Sequence, residues 1–347
     1  MAPRRAAAKV SAQISLEDLL PDPAWVPHLV DPVARELLFQ RTTLEALRTA
    51  AFIDGRTDIW LGSGVTVPFE AAIDLARGDK ERRYIFHMSF CGSTLLARLV
   101  DTPGKSLTLR EPNLLVSFAD WRSALLRSGQ GEAHLSSSLE FGAAMLNRQW
   151  QEAEAVTIKP SSWANNLISD LVANDDHLVY VTISRTAFAT AVVRGGHDRL
   201  AFTARLAAHL SLSLQDGPAA LRQAIESTDD PLGKAVRLAL VAHRFQELLF
   251  GRSIDKNGGH AISFDEIESN PLGAARRAAQ ALELPLSSAD IHANVARWAS
   301  EHSKGGVAYS QDQRAAENSE VRRYHSATIE DALRWADNTF GAENGRS

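Results

Sequence analysis

Between residues 83 and 264, short apolar runs alternate with helix-length stretches, and this alternation limits the possible folds more than any other feature of the chain. The runs are 83–88 (RYIFHM), 106–110 (SLTLR), 155–159 (AVTIK), 178–184 (LVYVTIS) and 260–264 (HAISF). Several are apolar on both faces, as strands are when helices cover both sides of a parallel sheet. Helical patterns fall between them at 93–99, 113–126, 139–152, 165–173 and from 187 to about 249, the last broken at Gly195, Gly196, Gly217 and Pro231. The order predicts a three-layer, doubly wound α/β domain with a mainly parallel central sheet of about five strands and right-handed crossovers. In such sheets ligands bind beyond the carboxyl ends of the strands, so the residues after each run are where chemistry is sought.

The rest of the composition narrows the class. The chain has 347 residues, 45% hydrophobic and 23% charged, enough apolar mass for a sizeable core and too much for disorder. No repeat of about 20–50 residues is visible, which argues against solenoids and propellers. A net charge of −5 gives no global attraction to nucleic acid or anionic lipid, so neither nucleic acid nor membrane is expected as a partner. The lone cysteine, Cys91, excludes an intrachain disulfide framework and a four-cysteine metal site, and fits a reducing compartment. No H-E-x-x-H spacing appears, so no metal site is expected. The basic start lacks an apolar h-region and no run reaches the roughly 18 apolar residues of a spanning helix, so a cytoplasmic chain is expected.

Three segments follow from this. Residues 1–13 read as a disordered basic tail. Residues 14–80, with Leu19, Leu20, Trp25, Leu29, Val33, Leu37, Leu38, Leu44 and Leu47 near helical spacing and prolines at 21, 23, 27 and 32, read as a helical cap with one hairpin around 53–56. Residues 81–347 form the α/β domain with a helical C-terminal extension from about 270, interrupted by a polar loop at 301–313. Trp25, Trp60 and Trp121 are read as core.

The first run leads into Ser89-Phe90-Cys91-Gly92-Ser93-Thr94 and then a helix. A small-residue loop at such a turn presents unpaired backbone amides, and with the hydroxyls of Ser93 and Thr94 it suits a phosphate; a plain capped turn is the other reading. Gly92 is followed directly by Ser93, so the lysine of a Walker A loop is missing and ATP chemistry is disfavoured. After the second run comes Glu111, able to take a proton from a substrate hydroxyl or to serve as a helix-start carboxylate. After the third, Lys159 is one of seven lysines against 30 arginines, placed beside Ser161 and Ser162, where it suits a phosphate or sulfonate. Arg185, Thr190 and Arg194 follow the fourth run, where the arginines suit a second phosphate or surface ion pairs. Ser303 and Lys304, ahead of Gly305, Gly306, Tyr309 and Arg314, form a basic loop able to close over an anion. Cys91 is read as a packing residue.

Residues 86–98 (FHMSFCGSTLLAR), the Leu109-Arg110-Glu111-Pro112 turn, the Arg185 turn and the Ser303-Lys304-Gly305 loop together resemble the sulfotransferase family, whose members transfer a sulfonate from 3′-phosphoadenosine 5′-phosphosulfate (PAPS) on a P-loop NTPase-like α/β fold. The resemblance runs in outline over about residues 80–314, with the first motif the most specific. It implies that Ser89, Phe90, Cys91, Gly92, Ser93 and Thr94 hold the 5′-phosphosulfate, that Arg185 meets the 3′-phosphate, and that Glu111 is the general base. Two positions depart from the family. Phe90 stands where a loop lysine or arginine is usual, leaving Lys159 or Lys304 as substitute cations, and Val193 stands where a serine is usual, leaving Thr190 or Arg194 as stand-ins. The implied activity is transfer to a hydroxyl or amine of a small-molecule or peptide acceptor. ATP- and magnesium-dependent phosphotransfer on the same fold, and an inactive nucleotide-binding module, are the other readings.

Overall fold

The computed structural model describes residues 14–69, 81–130, 134–151, 154–298 and 311–341. The five expected strands form one sheet. They are β4 (Arg83–His87), β5 (Ser106–Arg110), β6 (Ala155–Lys159), β7 (His177–Thr182) and β8 (His260–Ser263), preceded in the chain by β1 (Trp25–Asp31), β2 (Glu36–Arg41) and β3 (Val65–Pro68). The order is β5-β6-β4-β7-β8 and every pairing is parallel. Because parallel crossovers are right-handed, the connection that steps from β4 out to β5 and the connections that step back across the sheet lie on opposite faces. Helix Ser93–Leu99 therefore covers one face, joined there by Pro271–Ala281 and Ser288–Trp298, while Asn113–Ser128, Leu135–Leu146 and Pro231–Asn257 belong to the other. The order in which strands are added reverses at β4, whose neighbours are β6 on one side and β7 on the other, and the carboxyl ends at such a switch point are where parallel sheets bind ligands. The α/β fold with a parallel five-stranded sheet expected from the sequence is the fold observed.

The long helical region 187–249 divides where its glycines and proline stand, into Arg185–Arg194, Gly196–Ser211, Gly217–Glu226 and Pro231–Asn257. The C-terminal extension is helical, ending in Gln311–Phe340, which packs on Arg185–Arg194 and Pro231–Asn257. Trp25, Trp60 and Trp121 lie against the main core. No helix among the described residues is long and apolar enough to cross a membrane. The tail 1–13 lies outside the described residues.

The N-terminal segment corrects the expectation. Residues 14–69 are not a helical cap but an antiparallel sheet, β1-β2-β3, with the short helices Leu16–Leu19 and Leu44–Thr49 beside it. The hairpin is at 31–36, where the Asp31 carboxylate accepts from the amides of Val33 and Ala34, and no hairpin forms at 53–56. Alternating burial of Val26 and Val30 on β1 and of Leu37 and Phe39 on β2 turns one face into the core.

This segment is fastened to the edge of the main sheet. The Ile53 amide donates to the Arg110 carbonyl at 2.8 Å, and the Asn113 amide donates to the Ile53 carbonyl at 3.3 Å. The exposed edge of β5 is thereby covered. Two buried arginines complete the joint: Arg110 donates to the carbonyls of Leu47, Arg48 and Ala50, and Arg98 donates to those of Thr49 and Ala50, the open carbonyls at the end of helix Leu44–Thr49.

Candidate active site

The candidate site is built from the turns that leave β4, β5, β6 and β7. The first turn is tight. Phe90 and Gly92 both have positive φ, +64° and +75°. At Gly92, a Cβ would stand 3.3 Å from the Phe264 ring and 3.5 Å from Ile267, so glycine serves both the left-handed backbone and the close approach of the turn after β8. Ser93 and Thr94 open the helix, both buried. Ser89 shares a 2.7 Å hydrogen bond with Ser162, which ties this turn to the one after β6.

Cys91 is fully buried and its thiol donates to the Met88 carbonyl. Burial pushes the thiol up to about 11, so it is a packing residue, as the sequence suggested, rather than a thiolate. An aromatic disulfide reagent at pH 8 is accordingly expected to label the native protein at least about 100-fold more slowly than the urea-unfolded chain. Rapid stoichiometric labelling of the native form would contradict this burial.

Glu111 and Lys159 form the charged centre. Arg110 and Lys159 are register partners at the ends of β5 and β6, so Glu111 emerges beside Lys159, and its amide donates to the Lys159 carbonyl at 2.7 Å. Glu111 has a φ of +56°, a conformation costing about 1–2 kcal/mol in a residue with a Cβ. Its carboxylate accepts from Lys159 Nζ at 2.8 Å and from Arg56 at 3.1 Å. Burial alone would raise the Glu111 carboxyl, but Lys159, His87 and Arg56 hold it at about 2. Lys159, fully buried, also lies 3.1 Å from His87 Nε2. His87 Nδ1 faces the Met88 carbonyl at 2.9 Å and, since a carbonyl only accepts, carries a hydrogen. Nε2 is left between the Lys159 ammonium, from which a neutral ring accepts at 3.1 Å, and the Glu111 carboxylate, 3.7 Å away, with which a protonated ring makes an ion pair.

The fourth turn carries the remaining candidates. Phe188, one turn on from Arg185, meets the Phe90 ring at 5.9 Å, which joins this helix to the loop after β4. Arg185 is buried and held by the C-terminal helix: it donates to Asp337 at 3.0 Å and to the Gly341 carbonyl at 2.8 Å, with Glu247 at 3.6 Å. The Thr190 hydroxyl donates to the Thr186 carbonyl, and Arg194 donates to Asn318 at 2.6 Å and lies 3.8 Å from Glu317. Arg185 and Arg194 therefore hold helices together in this structure, while Thr190 bonds within its own helix. Val193 is buried in the core beneath the C-terminal helix. Ser303, Lys304 and Tyr309 lie outside the described residues, as does the side chain of Arg314. Among the described residues no cluster of His, Cys, Asp and Glu is arranged to hold a metal ion.

Sequence reasoning did not find His87, Arg56 or Phe52. His87 was legible as the last residue of its strand. Arg56 and Phe52 were not, because only the fastening of the N-terminal segment to β5 brings them in; Arg56 stacks on the Phe52 ring at 3.8 Å, and the Lys159 ammonium lies 6.0 Å from the same ring.

No family model matches the sequence, and no curated protein matches it. Solved structures do. The sulfotransferase STF9 from Mycobacterium avium superposes with a TM-score of 0.41 at 15% identity, covering 75% of this chain and 81% of that one. A sulfotransferase from Alicyclobacillus acidocaldarius gives a TM-score of 0.36 at 11% identity, covering 77% and 98%. Mouse sulfotransferase SULT7A1, solved complexed with PAP, gives 0.34 at 6% identity, covering 78% and 93%. Each of these three solved structures is that of a sulfotransferase.

Proposed function

We propose that the protein transfers a sulfonate from PAPS to a hydroxyl or amine of a small-molecule or peptide acceptor. The observation that carries this reading is the juxtaposition, at the switch point of the sheet, of a left-handed glycine loop lacking the Walker lysine with a strained glutamate held ionised by Lys159. The loop after β4 would hold the 5′-phosphosulfate through its amides and the Ser93 and Thr94 hydroxyls. An acceptor oxygen then bonds to sulfur on the side away from the phosphate, the bond from sulfur to the bridging oxygen breaks, and its electron pair stays on the departing phosphate. The acceptor proton passes to Glu111, which is ionised at every pH near neutrality and accepts as the hydroxyl becomes acidic on bonding to sulfur. Lys159 neutralises that carboxylate and, with His87, fixes its direction.

For the 3′-phosphate to reach Arg185, it has to share or replace the Asp337 contact. The reading is tested by thermal shift with 3′-phosphoadenosine 5′-phosphate (PAP), compared with ATP and magnesium. Saturation at about 100-fold over Kd stabilises the folded state by about 2.7 kcal/mol and raises the midpoint by several degrees. PAP is expected to give this rise, with the response falling at least tenfold in apparent affinity in Ser93→Ala and in Arg185→Ala. A response to magnesium-ATP and none to millimolar PAP would replace sulfonate transfer with phosphotransfer. Binding without turnover of PAPS across a broad acceptor panel would leave a nucleotide-binding module.

A further inference from the structure

The loop after β4 carries no cation of its own, since position 90 is phenylalanine. A guanidinium from a separate helix stands at the loop. Arg199, on helix Gly196–Ser211, has its Cζ 4.7 Å from the centre of the Phe90 ring, in the arrangement of a cation over an aromatic face.

Its route there is built into the chain. The Arg199 side chain folds back over the helix junction at Gly195, where a Cβ would stand 1.9 Å from Arg199 Cδ and 2.3 Å from its Nε. One guanidinium nitrogen donates to the Ala191 carbonyl at 2.7 Å, which fixes the head group at the end of helix Arg185–Arg194. Phe90 is itself held between Phe188 and Phe202, at 5.9 and 6.3 Å, so the ring is a fixed platform rather than a loose side chain.

We propose that Arg199 supplies, from a separate helix and across the Phe90 ring, the positive charge that the loop at 89–94 lacks, and so binds the phosphate or phosphosulfate end of the nucleotide. This rests on the PAPS reading of the loop. Phe90 then changes meaning: it is the surface on which a distant arginine is seated. Thr94 opens the helix that follows the same loop, and a hydroxyl there can offer the ligand a hydrogen bond. Arg199 is a binding residue on this account, and its planar fork suits two oxygens of one tetrahedral anion.

The test is calorimetric titration of the full-length chain with PAP and with adenosine 3′-monophosphate, which lacks the 5′-phosphate. Arg199→Ala is expected to weaken PAP at least tenfold and to leave adenosine 3′-monophosphate unchanged. Phe90→Lys in the Arg199→Ala background is expected to recover most of the PAP affinity, because it returns a cation to the loop by the short route. Gly195→Ala, which obstructs the Arg199 side chain and leaves its charge in place, is expected to weaken PAP as well. Wild type that fails to bind PAP would overturn the donor reading itself. Wild type that binds PAP while Arg199→Ala binds it equally well would overturn the role of Arg199 alone. Equal losses for the two nucleotides, with no recovery from Phe90→Lys, would likewise make Arg199 a structural clamp.

Discussion

Arg110→Met is expected to destabilise the protein by about 3–5 kcal/mol, the range for breaking a buried charged pair from one side. The guanidinium is about 1% exposed and spends all its donors inside the protein. It donates to Asp101 at 3.0 Å, to Thr108 at 3.2 Å and to the carbonyls of Leu47, Arg48 and Ala50 at 2.6–3.0 Å. Methionine fills much of the volume but satisfies none of these acceptors, and each buried carbonyl left without a donor costs about 1–3 kcal/mol. Arg98 and Arg48 retain part of the network, since Arg98 also reaches Ala50 and Arg48 also pairs with Asp101, which keeps the loss below the sum of the separate bonds. Lysine is expected to recover little, because one ammonium cannot reach carbonyls on two sides of a planar fork. Urea denaturation of the two variants measures this. A midpoint for Arg110→Met equal to wild type would show that the joint between the N-terminal sheet and β5 contributes nothing to stability. The joint also matters to the site: the segment it holds carries Phe52 and Arg56, so the variant should release Arg56 from Glu111.

How much of this was legible in the sequence follows from the range over which each signal acts. The strands β5 and β6 fall where the apolar runs predict, because a strand buried on both faces needs a continuous apolar run and nothing else in the chain resembles one. Glu111 and Lys159 were found for the same reason: once the strands are known, their carboxyl ends are known. The N-terminal segment misled because Leu29, Val33 and Leu37 have the spacing of a helix face. In the structure Leu29 points out of β1, Val33 is 93% exposed at the tip of a hairpin and Leu37 is buried on β2, so the three share no face. Pro32 sits in that turn. Arg56 and Arg199 reach the site through tertiary placement over 55 and more residues, which no local pattern encodes. The same holds for the C-terminal helix: nothing near Arg185 announces that Asp337 will occupy it.

The second large effect is expected at Lys159. Its ammonium is fully buried, and its partners are the Glu111 carboxylate and His87 Nε2. Lys159→Met leaves Glu111 buried with Arg56 as its remaining cation in hydrogen-bond reach, and a loss of roughly 3 kcal/mol follows. Glu111→Gln leaves the ammonium without its counter-charge and should cost a similar amount. Because either single change strands one charge, the double variant is expected to be more stable than the sum of the two predicts, and strict additivity would show that the pair is not coupled. The pH dependence gives an independent reading. The Glu111 carboxyl lies at about 2 in the folded protein, below its ordinary 4.5, so the unfolded chain takes up the proton first as pH falls. The stabilisation is therefore complete above about pH 4.5 and disappears as pH drops towards 2. Glu111→Gln should remove this component of the fall, so that wild type loses more of its urea midpoint between pH 5 and pH 3 than the variant does. The same ionisation bears on turnover. A base already deprotonated throughout the neutral range puts no acid limb there in the rate profile for sulfonate transfer. A limb near neutrality, persisting in Lys159→Arg, would move the proton-accepting role from Glu111 to another group at the site, of which the His87 ring is the one in contact with the pair.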